Sequence, residues 1–187
     1  MAVVTVKSTS ITNLDATPIV AMATGEGASG MLRVVNDSVT ATPTDSTGSI
    51  YRCCRIPTNA KVKRVLFTYP TASTAGATDI DVAFSDSLTD GTQASLAGGI
   101  VQLTGPVDNK LFGAAQVLTS PLTNSDKTFA GTFTPAHQNL PLWQVLVALG
   151  ATQFTTDPGG FFDIVGKLST GVSVTAGAFA IEVDYVE

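Results

Sequence analysis

Histidine and tryptophan each occur once in this chain, cysteine occurs twice, and charged residues make up only 13% of it. Each scarcity removes a class of chemistry. The single histidine, His137 in Pro-Ala-His-Gln-Asn, cannot build a His-rich metal site, and no cysteine lies at ligand spacing from it. No nucleophile-elbow motif is present to support a Ser-His-Asp arrangement. The adjacent cysteines, Cys53 and Cys54, would point to opposite faces of a strand, where a bridge between them is strained. They read as small half-buried hydrophobes of a protein that folds in a reducing cytoplasm. No apolar run is long enough to cross a bilayer: Leu140–Leu149 contains Pro141 and Gln144 and reaches about half the required length. The opening Met-Ala-Val-Val-Thr-Val-Lys lacks a basic leader followed by an apolar core, so export is not expected. These absences predict a protein that is not an enzyme, carries no cofactor and no metal, and does not enter a membrane.

Short acidic and glycine motifs add little. Gly25-Glu-Gly-Ala-Ser-Gly30 matches the glycine spacing of dinucleotide loops, but that mechanism needs a strand before it and a helix N-terminus after it. A β-prone stretch with Val34 and Val35 follows instead. Asp79, Asp81, Asp86 and Asp90 lack the spacing and closing glutamate of a calcium loop and read as a solvated strand face. Asn36-Asp-Ser38 reads as a turn rather than a glycosylation site.

The net charge of −5 argues against a dedicated nucleic-acid binder. Against that background Arg52, Arg55, Lys61, Lys63 and Arg64 stand out, half of the 10 Lys and Arg in one short stretch. Few aromatic residues accompany them, so the stripe suits an acidic protein surface better than a nucleic-acid groove.

What the chain has is small and β-branched residues, with 44% hydrophobic in total. Thr, Ser, Ala, Val and Gly favour strands joined by turns, and 187 residues suffice for one domain. Residues 1–49 have too few large hydrophobes to fold alone and read as an extended N-terminal arm lying across its own body or a neighbour's. The body spans 50–187. Val65, Phe67 and Tyr69 alternate with Arg64, Leu66 and Thr68; Ile80, Val82 and Phe84 alternate with Asp79 and Asp81. These two runs read as a hairpin with a wide loop. Residues 86–135 form an irregular excursion, with a short helix at Leu111–Leu118 capped by Asp108. A second short helix starts at Asn139, with Pro141 in its first turn and Gly150 past its end. After the turn at Asp157-Pro-Gly-Gly160, two closing strands carry Phe162, Ile164 and Leu168, then Phe179, Ile181, Val183 and Tyr185. The pattern predicts an all-β protein, an antiparallel β-sandwich for which a jelly-roll is one arrangement.

Several of these segments also form a recognisable set. Tyr51-Arg-Cys-Cys-Arg-Ile-Pro-Thr-Asn-Ala-Lys-Val62, the strand Thr78–Phe84, Leu142-Trp143, Asp157-Pro-Gly-Gly160, Phe162-Asp-Ile164 and the final Val183-Asp-Tyr185-Val186 resemble the head decoration, or capsid cement, proteins of tailed bacteriophages. The opening Val6-Lys-Ser-Thr and Ile11-Thr-Asn with Pro18 is similar to their N-terminal arm, while 86–135 does not match. The resemblance implies a virion protein made in the host cytoplasm, bound to the capsid exterior through the major capsid protein, often as a homotrimer. The basic stripe would then be the contact with acidic coat surface. A tail, baseplate or fibre component is the alternative, being equally rich in strands, threonine and glycine. A carbohydrate-binding sandwich ranks below it, because Trp143 is the sole tryptophan.

Overall fold

The computed structural model describes residues 3–17, 32–70, 75–85, 99–103, 109–173 and 177–187. The glycine motif at 25–30, Asp86, Asp90 and Asp108 lie outside them. In chain order the elements are β1 (Thr5–Lys7), α1 (Thr9–Asp15), β2 (Leu32–Ala41), β3 (Ile50–Pro57), β4 (Lys61–Tyr69), β5 (Ala75–Phe84), β6 (Gly113–Val117), β7 (Leu122–Asp126), a three-ten helix over Pro135–Asn139, α2 (Leu142–Ala148), β8 (Phe161–Ser173) and β9 (Gly177–Val186).

The strands form a five-stranded sheet in the order β1-β3-β8-β5-β6 and a four-stranded sheet in the order β2-β9-β4-β7. Antiparallel pairs join β2 to β9, β3 to β8, β4 to β7 and β5 to β6. This is one long hairpin of four strand pairs, rolled so that successive pairs fall in opposite sheets. The expected sandwich is therefore a jelly-roll. The rolling corrects the hairpin expected between residues 61–69 and 75–84: β4 and β5 lie in different sheets, because the chain crosses the sandwich between them. The segment 1–49 contributes β1 to one sheet and β2 to the other, and β2 runs in unbroken register with β9 from Leu32–Val186 to Ala41–Gly177.

The alternating hydrophobes line the interior as expected. Val65, Phe67, Tyr69, Ile80, Val82, Phe162, Ile164, Phe179, Ile181 and Val183 are fully buried. At the centre the ring of Phe179 meets Phe67, Tyr51 and Tyr69 at centroid distances of 4.8, 5.0 and 6.3 Å. It can approach because Gly166 stands on the facing sheet: a Cβ there would lie 2.0 Å from Phe179 Cζ. The turn leading into Tyr51 is tied by Asp45, whose carboxylate accepts from Tyr51 Oη (2.7 Å), Thr42 N (2.9 Å) and Thr42 Oγ1 (2.8 Å). Burial pushes that carboxyl up, but these three donors hold it below the usual aspartate value.

Two helix expectations change. Leu111–Leu118 is not a helix but the surround of β6, an edge strand beside β5. Lys110 and Ala115 take left-handed backbone with φ of 46° and 47°, and a two-turn segment has little helical stability of its own against such pairing. Asn139 does not cap α2. A three-ten helix ends there, and Pro141 occupies the cap position. The free N–H groups of Leu142 and Trp143 donate to Ala60 O (2.8 Å) and Thr58 O (3.1 Å), which seats α2 on the β3–β4 turn. Leu142, Val145 and Leu146 then enter the core, with Trp143 and Leu149 partly buried against it.

Replacing Gly166 with alanine should force Phe179 out of its rotamer and cost about 1–3 kcal/mol in urea unfolding. Combined with Phe179→Leu, the added cost of Gly166→Ala should shrink. Equal costs in both backgrounds would show that the glycine is not there for the ring.

Candidate functional site

The five basic residues of the 52–64 stretch do not form one surface. Strands β3 and β4 belong to opposite sheets, and each contains a one-residue bulge that decides where its cations point. In a regular strand, residues three apart face opposite ways. In β3 the register slips between Arg52, opposite Val165, and Cys54, opposite Ile164, so Cys53 is the extra residue. The slip puts Arg52 and Arg55 on the same, outer face. It also turns both thiols inward, correcting the expectation of opposite faces. Cys53 Sγ lies 3.7 Å from Phe179 O and Cys54 Sγ 3.0 Å from Ile181 O. Burial pushes both thiols well above their ordinary values, so neither is poised for redox or nucleophilic chemistry.

On that outer face Arg52 and Arg55 converge on Asp163 of β8. Arg55 binds it as a fork, Nε to Oδ1 at 2.7 Å and Nη2 to Oδ2 at 3.1 Å, and Arg52 Nη1 adds a bond to Oδ2 at 2.8 Å. Arg52 Nη1 also donates to Phe84 O at 3.0 Å. Arg55 Nη1 reaches Asp15 of α1 at 2.6 Å, and Lys7 Nζ meets the same carboxylate at 3.0 Å. The side chains of Arg52 and Asp163 are wholly buried and that of Arg55 is 2% exposed. For Arg55 the loss of water lowers the pKa, but Asp163 and Asp15 more than offset it and hold the guanidinium charged. Burial pushes Asp163 up against the pull of the two arginines. These two arginines are thus internal struts and do not form an outward stripe.

The two β5 aspartates are also buried, not solvated as expected. Asp79 Oδ1 accepts from Ala115 N at 2.6 Å and Asp81 Oδ1 from Lys110 N at 2.5 Å, so each holds one of the left-handed residues. Beside them the carboxamide of Asn109 donates to Val82 O (2.7 Å) and Val101 O (3.0 Å) while accepting from Val82 N (3.0 Å). No motif marks these residues in the sequence, because their partners are backbone groups supplied by the fold. Among the described residues no group of three or more His, Cys, Asp or Glu could hold a metal ion. His137 is the third residue of the three-ten helix, its Nδ1 accepting from the N–H of the capping residue Thr134 at 3.1 Å.

The remaining cations reach the surface of the other sheet. The bulge in β4 falls between Val62 and Arg64, so Lys61 and Arg64 share its outer face while Val62 and Val65 both point inward. Two rows cross this face: Leu32–Val186–Lys61 and Val34–Asp184–Arg64. Arg64 is paired with Asp184 (2.8 Å) and Glu182 (3.3 Å). Leu32 and Val34, at 59% and 55% exposure, are large apolar side chains left in water beside them. Lys63, the bulged residue, turns instead to the three-ten helix, donating to Gln138 O at 2.6 Å. The arrangement suits contact with a protein surface: apolar side chains beside basic groups, with nothing positioned to react.

Asp163→Asn should lower unfolding stability by about 3–5 kcal/mol, since it removes the counter-charge that two buried guanidinium groups share. Arg64→Ala, breaking a half-exposed pair, should cost under about 1 kcal/mol. Urea titration of both variants checks the contrast, and equal losses would contradict it.

No protein-family model matches the chain, and no curated protein matches it in sequence. Its fold is similar to that of a chain in a solved structure described as the capsid of Ralstonia phage GP4, at 13% identity and a TM-score of 0.54. The likeness covers 98% of this chain and 97% of that one, so the two share one architecture from end to end.

Proposed function

We propose that this protein is a structural component of a phage virion that binds the outer surface of the capsid and stabilises the expanded shell by bridging coat subunits. The observation that carries the reading is the end-to-end jelly-roll likeness to a chain of a phage capsid structure. Nearly complete coverage of both chains means the likeness is to a protein of similar size, not to one module of a larger subunit. The resemblance of several segments to head decoration proteins points the same way. So does a surface low in charge, with no arrangement of groups fit for catalysis among the described residues.

The proposed partner is the major capsid protein. Of the five basic residues, Lys61 and Arg64 would make the contact, with Leu32 and Val34 supplying apolar area beside them, while Lys63 would hold the three-ten helix. Arg52 and Arg55 would serve the fold. A protein that binds only the assembled, expanded shell stabilises that state by mass action. Repetition of the contact around a symmetric lattice, and within a trimer, raises the effective concentration of each site.

The test is co-sedimentation of the purified protein with expanded shells lacking it, with bound copies counted. Saturable binding at a fixed ratio to coat subunits is expected, and Lys61→Gln with Arg64→Gln should weaken it and reduce its salt dependence. No binding to intact shells would move the protein to the tail or baseplate.

A further inference from the structure

The segment β1–α1 covers a part of the five-stranded sheet that carries buried charge, with Ile11 and Val6 as its apolar contacts. Beneath and beside it lie Arg52, Arg55 and Asp163. Its attachments are few in kind. Ile50 N donates to Val4 O at 3.0 Å, Ser8 N donates to Arg52 O at 2.8 Å, and Ser8 Oγ to Cys53 O at 2.9 Å, along the edge of β3. Ile11 is its fully buried apolar side chain among those described. Asp15 closes the far end on Arg55 Nη1. The other donors of that guanidinium, Nε and Nη2, are held by Asp163, so Nη1 keeps its direction whether or not a carboxylate meets it. A three-residue parallel ladder is a weak attachment. Lifting the segment would return ions to water, which favours them, at the cost of exposing Ile11 and the part of the core that Val6 covers.

We propose that β1–α1 is a releasable strap latched by Asp15 on Arg55, and that the edge of β3 beneath it is a docking site for a segment that pairs as a short strand and continues into a helix carrying a carboxylate. The strap is the site's own occupant in the free protein and shows the chemistry required: backbone pairing along Ile50–Arg52, a hydroxyl at the position of Ser8, and an acid at the position of Asp15. A partner segment of that chemistry would add to the exposed edge as a strand. The inference stands independently of where in a particle the protein sits.

Amide hydrogen exchange on the full chain tests the latch. In Asp15→Asn the amides of Thr5–Asp15 should exchange about 10- to 100-fold faster, the effect of neutralising the carboxylate that binds Arg55 and Lys7. Those of β3, β8 and β5 should not change. Raised salt should act in the same direction on the unaltered protein. A labelled peptide of residues 3–17 tests the docking site: it should bind the Asp15→Asn protein saturably and more tightly than the unaltered one. A peptide carrying Asn in place of Asp15 should bind more weakly. Strap amides that open only with the whole body, or an opened strap with no peptide binding, would overturn the proposal.

Discussion

A single extra residue in β3 decides where the charges of this protein go. A strand alternates with a period of two, so Arg52 and Arg55 could not both reach Asp163 in a regular ladder. The bulge at Cys53 supplies the missing half-period, and much of the structure follows from it. Two arginines share one buried carboxylate, the helix α1 is anchored through Asp15, and both thiols are turned into the core. The bulge at Lys63 repeats the device in β4, where it brings Val62 and Val65 to the interior together and sets Lys61 and Arg64 on the outer face. Bulges of this kind are structural instructions, since a slip by one residue would invert every side chain beyond it.

Much of the interior was legible in the sequence. The runs ending in Tyr69, Phe84 and Tyr185 alternate cleanly, and their apolar sides are buried, although in the run ending in Phe84 the polar side is buried as well. Sheet membership was not legible, because consecutive strands of a rolled hairpin look in sequence like any hairpin. The basic stretch was misread for the same reason that the cysteines were. Strict alternation hides a bulge, and composition does not distinguish a solvated arginine from one held by an aspartate more than a hundred residues away. Asp79 and Asp81 looked like a wet strand face. Only the folded chain reveals the N–H groups of Lys110 and Ala115 that they satisfy. Leu111–Leu118 had helix-compatible residues, and pairing with β5 overrode that preference.

The internal use of charge bears on the function proposed. With only 13% of residues charged, and several of those committed to buried pairs, the surface is left poorer in ions than the composition alone suggests. A freely diffusing protein gains solubility from such charges, whereas one that spends its life against neighbours is better served by neutral and apolar contact area. Among the described residues the two sheets have short edges at β1, β6 and β7 and one long edge, the ten-residue β2.

The most direct measurement on the central claim is equilibrium unfolding of a protein lacking Cys53, set beside Cys53→Ala. If Cys53 is the residue the ladder leaves over, alanine should be tolerated with a modest loss. The deletion should also unfold cooperatively, near the midpoint of the alanine variant, because it leaves Arg52 and Arg55 two apart, on one face of a regular ladder with their pairings to Val165 and Asp163 kept. A deletion variant that loses cooperative unfolding while the alanine variant keeps it would contradict the account.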